Sequence, residues 1–320
     1  LSANTTAAQN TAVGSSALQN TTTGGNNTAI GMQCLDANST GSENVAVGVN
    51  ALTANTTAND NTAVGGGALA TNTTGADNVA IGRVALANST TASNNVAIGR
   101  NALLATTTGA FNTAVGANAL DANTASYNTA VGYNALGSNT TGENNCAVGA
   151  DALASSTGTQ NTALGHIAGN SITSGNYNIS IGYNAQPTSA TASGQCTLGN
   201  GNVSNLRCND TSISSLSDSR DKTDIINSPY GLDFINTVRP VQFLWDTREG
   251  NIKDGSTRVG FIAQELLTAA DGNNDILDLV IDDNPDRLEA KYGNLLPIAI
   301  KAIQELSTQV DELKSELLAL

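Results

Sequence analysis

Asn27-Thr28-Ala29-Ile30-Gly31, Asn44-Val45-Ala46-Val47-Gly48, Asn61-Thr62-Ala63-Val64-Gly65 and Asn78-Val79-Ala80-Ile81-Gly82 are successive copies of one phrase, Asn-x-Ala-Val/Ile-Gly. Its closing glycines are Gly14, Gly31, Gly48, Gly65, Gly82, Gly99, Gly116, Gly132, Gly149, Gly165, Gly182 and, in degenerate form, Gly199. Most spacings are 17 residues; Gly116 to Gly132 and Gly149 to Gly165 are 16. A short fixed period means one structural unit stacked many times, each burying its apolar face only against its neighbours. Such a chain makes a rod rather than a globular enzyme.

The whole unit reads Asn-Thr-Ala-Val-Gly-x-x-Ala-Leu-x-x-Asn-Thr-Thr-Gly-x-x. It predicts two short extended segments, Thr-Ala-Val-Gly and one centred on Ala-Leu, separated by Asn, Thr and Gly turn formers. The density of Asn, Gly and Thr opposes a helix. Strand alternation puts Ala29 and Gly31 on one nearly bare face and Thr28 and Ile30 on the other, where the branched residue is expected to be buried. The simplest solution is a mainly β protein, a parallel β-solenoid with one coil per 16–17-residue repeat and a rise of roughly 4.8 Å per coil. Asn10, Asn27, Asn44, Asn61 and Asn78 are then expected to stack as a ladder at one corner, bonding side chain to backbone. Aspartates do not recur in register, which counts against a calcium-binding solenoid.

Composition divides the 320 residues sharply. Residues 1–216 contain no Lys, only Arg83, Arg100 and Arg207, and eight carboxylates, for a net charge of −5. Residues 217–320 carry −9 of the total of −14. This balance excludes nucleic-acid binding through bulk charge and predicts repulsion from anionic membranes. No stretch of 18 apolar residues or basic-then-apolar leader is present, so no membrane insertion is expected. The chain begins at Leu1 rather than Met and is read as an excerpt lacking upstream sequence. Cys34, Cys146 and Cys196 occupy repeat slots and are expected to be small buried residues. Without a CxxC spacing among the four cysteines, no metal or other cofactor is expected. His166, the only histidine, is read as an exposed side chain at a variable position.

The phrase resembles the head repeats of trimeric autotransporter adhesins of the YadA type over residues 1 to about 200. That resemblance implies a left-handed parallel β-roll associated as a homotrimer, with a longer loop per coil than the adhesins have. Trimerisation also suits coils that carry few large residues to bury alone.

After Gly201 the period stops. Residues 202–216 read as a polar linker. Then come Ser217-Asp218-Ser219-Arg220-Asp221-Lys222-Thr223-Asp224-Ile225, Gly231-Leu232-Asp233-Phe234-Ile235, Arg239-Pro240-Val241-Gln242-Phe243-Leu244-Trp245, Gly260-Phe261-Ile262-Ala263-Gln264-Glu265 and Tyr292-Gly293-Asn294-Leu295-Leu296-Pro297. These blocks, in this order, resemble the peptidase S74 family, the intramolecular chaperone of phage tail fibres and tailspikes, over 217–320. The resemblance implies a small α+β chaperone that folds as a trimer, helps the fibre before it assemble, and then cuts itself off. It implies a scissile bond between Leu216 and Ser217, with Ser217 as nucleophile and Lys222 as base. A serine hydroxyl needs such a base, and a partly desolvated lysine can serve. Asp221 stands where many relatives have Leu, and a carboxylate beside the lysine favours its charged form. Asp218 and Arg220 read as a local ion pair or cap. Phe234, Phe243, Trp245 and Phe261 read as core, and Gly260 to Leu267 as strand running into helix.

The tail needs no analogy. Ala299, Ile303, Leu306, Val310, Leu313, Leu317 and Leu320 are spaced 4, 3, 4, 3, 4, 3, an a/d seam flanked by charges. It predicts a helix from about 293 to 320 that joins a short, trimeric coiled coil. Parallel long-range pairing is slow, and a C-terminal clamp raises the local concentration of the chains.

Taken together, the expected molecule is a virion tail-fibre or spike segment, assembled in the host cytoplasm. Its expected partners are itself as homotrimer, a host-surface receptor (glycan or protein) and other tail proteins through upstream sequence. It is an enzyme only in the single-turnover, self-cleaving sense. The alternative is a bacterial trimeric adhesin head, a class whose C-terminal membrane barrel is not what this charged tail resembles. Glycosidase activity would need paired carboxylates, and acidic residues in the repeats are sparse. Phe111, Tyr127, Tyr133, His166, Tyr177 and Tyr183 concentrate aromatics in one stretch, a candidate receptor surface.

Overall fold

The computed structural model describes residues 2–203, 206–207, 217–244 and 257–319. The chain divides into two compact units, Leu1–Asn200 and Gly201–Leu320.

The first unit is a parallel β-solenoid. Its twelve three-residue strands run from β1 (Thr11–Val13) to β12 (Cys196–Leu198) in a single sheet in sequence order. Register is strict: Thr28 pairs with Val45, Ala29 with Ala46 and Ile30 with Val47, and the same slots pair up the stack. The central residue of the strand points inward; Ala29, Ala46, Ala63 and Ala80 are fully buried. The expected face is therefore reversed. The bare Ala face is the core, and the branched residues face outward, with Ile30 at 41% and Ile81 at 38% exposure. The interior beside each central alanine is already occupied by the fully buried leucines, such as Leu69, Leu86 and Leu103 in the same core cluster as Ala80, so the strand contributes only a small residue to it. A methyl added at Gly82 would lie 2.5 Å from the carbonyl oxygen of Gly99. Gly82 also has φ +135°, a region L residues avoid, so both the approach and the bend require glycine.

The second expected extended segment does not form. Each Ala-Leu pair lies in a turn, and the leucines take left-handed φ, +52° at Leu86 and +53° at Leu103. That conformation costs roughly 1–2 kcal/mol per residue. It aims each side chain at the core while the N–H bonds along the stack, as Leu86 N–H donates to the Ala102 carbonyl at 2.9 Å. Leu18, Leu35, Leu52, Leu69 and Leu86 are fully buried, and full burial of a leucine stabilises by about 1.5–3 kcal/mol, enough to offset the strain.

The asparagine ladder forms. Oδ1 of Asn10, Asn27, Asn44 and Asn61 accepts the backbone N–H of Asn27, Asn44, Asn61 and Asn78 at 2.8, 3.0, 3.1 and 3.0 Å. Each amide also donates to a carbonyl in the next coil, as Asn27 Nδ2 does to Gly41 O at 2.9 Å. A second buried column, Asn38, Asn55 and Asn72, was not foreseen; Asn55 Nδ2 donates to Asn38 Oδ1 at 2.9 Å and Asn72 Nδ2 to Asn55 Oδ1 at 3.1 Å. Cys34 is buried in an Ala slot, and burial pushes its thiol up from its ordinary value. Cys146 is half-buried and Cys196 exposed, because their slot opens each strand on its outward face; neither is the buried residue expected. His166 is exposed and stacks on Tyr183 at 5.6 Å.

The second unit is α+β. Helix α1 (Leu232–Ile235) precedes an antiparallel pair, β13 (Val241–Leu244) and β14 (Thr257–Gly260). Helices α2 (Ala263–Ala270) and α3 (Asn274–Leu277) follow, then the pair β15 (Val280–Ile281) and β16 (Glu289–Ala290), then α4 (Leu295–Ala319). Leu266, Ala270, Leu277, Leu279, Val280, Leu295 and Ile298 form its core, with Phe234 and Phe261 packed against it. Phe243 is only half-buried, and Trp245 and Leu320 lie outside the described residues.

Candidate functional site

The segment that follows the solenoid starts with a tight turn. Asp218 caps a 3-10 turn, Ser219–Asp221, by accepting the Arg220 backbone N–H at 2.9 Å, and Lys222 N–H closes the turn on Ser219 O at 3.3 Å. The Arg220 guanidinium folds back on the same carboxylate, with Nη2 to Oδ2 at 2.5 Å. This pairing holds the Asp218 carboxyl below the usual carboxylate range. Asp218 and Arg220 thus fix the turn and leave the residues on either side to face each other.

Those residues are Ser217 and Lys222. Lys222 Nζ donates to Ser217 Oγ at 2.6 Å. Geometry is the first requirement for a nucleophile and its base, and a heavy-atom distance of roughly 2.6–3.2 Å meets it. In this contact the ammonium donates; to act as base the amine must be neutral and accept the Oγ proton. Both side chains are exposed in the single chain. Asp221 is exposed too, on the last residue of the turn. Leu216, on the acyl side of the expected scissile bond, lies outside the described residues.

Further on, the unit is tied together by contacts that the sequence did not announce. Leu232 N–H, at the start of α1, donates to Glu305 Oε2 of α4 at 2.7 Å. This bond, and Lys301 beside it, lower the Glu305 carboxyl from its ordinary value. Arg239 pairs with Glu265, and Lys291 with Asp278 at 2.7 Å. Helix α4 buries Leu295, Ile298 and Ala302 against its own unit. The a/d seam lies on another face: Ile303, Leu306, Val310, Leu313 and Leu317 are exposed.

Residues 217–273 match the peptidase S74 family model, described as chaperone of endosialidase. The matched segment opens on Ser217 and contains Lys222. Comparison with curated proteins and with solved structures gives no match.

Proposed function

We propose that this chain is a segment of a phage tail fibre or spike. Its solenoid forms the shaft or head, and its C-terminal unit acts as an intramolecular chaperone that gathers three copies and then releases itself by cutting between Leu216 and Ser217. The observation that carries the reading is the 2.6 Å contact of Lys222 Nζ with Ser217 Oγ, inside a segment that matches the chaperone family. The stacked, rod-forming repeat supports a fibre rather than a compact enzyme.

The cut follows from the position of the nucleophile. Ser217 supplies both the attacking Oγ and the amide nitrogen of the scissile bond. Lys222, neutral, takes the Oγ proton as Oγ attacks the Leu216 carbonyl carbon. The C–N bond breaks, the proton passes to the departing nitrogen, and an ester links Leu216 to the Ser217 side chain. Water then hydrolyses the ester, leaving a carboxyl on Leu216 and a free amine and hydroxyl on Ser217. Copies packing over the exposed dyad would desolvate Lys222 and favour its neutral form, which couples the cut to assembly.

The exposed seam of α4 supports the trimer: a 3-4 spaced aliphatic stripe left in water finds its partner in identical helices. Light scattering of the uncut Ser217→Ala chain is expected to give the mass of three chains, and Leu306→Glu with Leu313→Glu to reduce it to one. A monomeric Ser217→Ala chain would remove the fibre reading.

Host attachment completes the proposal. Every aromatic residue of the solenoid lies in the surface; Phe111 and Tyr127 stack at 5.2 Å, and Tyr133 and Tyr183 are more than half exposed. Flat exposed rings suit sugars or peptides of a host surface. Alanine at Tyr133 and Tyr183 is expected to weaken attachment; unchanged attachment would discard this surface.

A further inference from the structure

We infer that the outward face of the twelve-stranded sheet is the surface on which copies of the solenoid pack against one another. The inference rests on the trimeric reading above and names the face that the trimer uses.

The face is built by the strand period. The middle residue of each strand points into the coil, so the first and third point out. The third residue is Val, Ile or Leu in all twelve strands, from Val13 to Leu198, and the first is Thr, Val, Ile or Cys. These side chains stand in two straight columns because the register is strict. Many remain open to water, with Val13 57% exposed, Leu164 50% and Leu198 50%.

No charged residue enters either column, although charges stand on both sides. Glu43, Asp60 and Asp77 occupy the slot before the ladder asparagine, and Arg83 and Arg100 the slot after the glycine. A sheet face that stays in water ordinarily carries polar or charged side chains, and a long apolar one marks an interaction surface. The conflict with the solvated-face pattern repeats at every rung, so it belongs to the repeat and not to one chance position.

The size fits a specific contact. Three residues of strand span about 10 Å, and twelve rungs at roughly 4.8 Å span about 58 Å, giving nearly 600 Å² per copy. Specific interfaces bury about 600–1,000 Å² on each partner. The occupant must also match the rung spacing along the whole length. A second copy of this solenoid presents the same uncharged columns, one of them aliphatic at every rung, at the same period, so every rung meets an equivalent rung. A globular partner would satisfy a few rungs and leave the rest in water.

The test is site-directed cross-linking of the full chain. The background carries Cys34→Ala, Cys146→Thr, Cys196→Thr, Cys208→Ser and Ser217→Ala. Single cysteines are placed in the two outward columns, Val79→Cys and Ile81→Cys, or in the exposed turn outside the sheet, Thr74→Cys. A short bifunctional maleimide is added, and the mass in solution is read in parallel. Thiols held together in an assembly react at a high effective concentration, so at least one of the column positions should give about tenfold more covalent dimer than Thr74→Cys. A trimer in which neither Val79→Cys nor Ile81→Cys exceeds Thr74→Cys overturns the assignment of the face and leaves the trimer standing. A monomer overturns both. Val115→Cys, in the seventh strand and two rungs from Val79 and Ile81, serves as an independent column position if the first two variants fold poorly, with the same expected result.

Discussion

Lys222 Nζ lies 2.6 Å from Ser217 Oγ, held there by a turn whose own cap and ion pair, Asp218 with Arg220, take no part in the contact. Lys222 stands five positions after Ser217, too far for neighbours on a strand. The 3-10 turn Ser219–Asp221 lies between them, and the lysine side chain reaches back to the serine. What the single chain lacks is cover. An exposed serine and lysine form a poor catalyst, because water competes with each for the other. In the proposed mechanism assembly supplies the missing desolvation, so the fibre is released only after it has formed.

The second asparagine column is interrupted at Ser89. Oδ1 of Asn72 and Oγ of Ser89 are buried there without a hydrogen-bond partner among the described residues. Ser89→Asn would place an amide where Asn55 and Asn72 carry theirs, and let it donate to Asn72 Oδ1. The gain expected is about 1 kcal/mol, read as a higher midpoint of thermal unfolding of the solenoid. An unchanged or lower midpoint would mean that the gap is accommodated at no cost.

Glu305 gives the C-terminal unit a pH dependence of known sign. Its carboxyl is lowered chiefly by the backbone N–H of Leu232 and then by Lys301. A carboxylate lowered on folding contributes stability above its unfolded value, about 4.3, and that contribution is lost as pH falls through the folded value. The attachment of α1 to α4 should therefore loosen in acid. Glu305→Gln should lower stability at neutral pH and flatten this acid limb. Thermal melts of the two proteins between neutral pH and pH 3 make the comparison; parallel curves would assign the acid response elsewhere.

The period made the solenoid legible from the sequence, since a 17-residue repeat of short β segments admits few other folds. What it could not give was the polarity of the sheet. Alternation tells which residues share a face, not which face is inside; Ile30 has the side chain of a core residue, but the leucines of the turns, such as Leu35, fill the interior and the strand adds only Ala29 to it. The turn at each Ala-Leu pair, expected to be extended, has no local signal, because nothing about a leucine such as Leu86 announces positive φ; the conformation is imposed by the need to face inward while bonding along the stack. The second asparagine column was in fact visible, since Asn38, Asn55 and Asn72 repeat at the same period as the first. Ser217 and Lys222 became readable only through the sequence blocks around them, because the spacing alone is common in polar loops. The bond between Leu232 and Glu305, 73 residues apart, has no local signal at all.

The self-cleavage at the centre of this account is tested most directly by the intact mass of the purified chain, wild type beside Ser217→Ala and Lys222→Ala. The wild type is predicted to separate into residues 1–216 and 217–320, with a new amino terminus at Ser217, while both variants stay whole. A wild-type chain that remains uncut as an assembled trimer would contradict it, and would leave the C-terminal unit as a permanent clamp with Asp221, beside the lysine, as the first residue to replace.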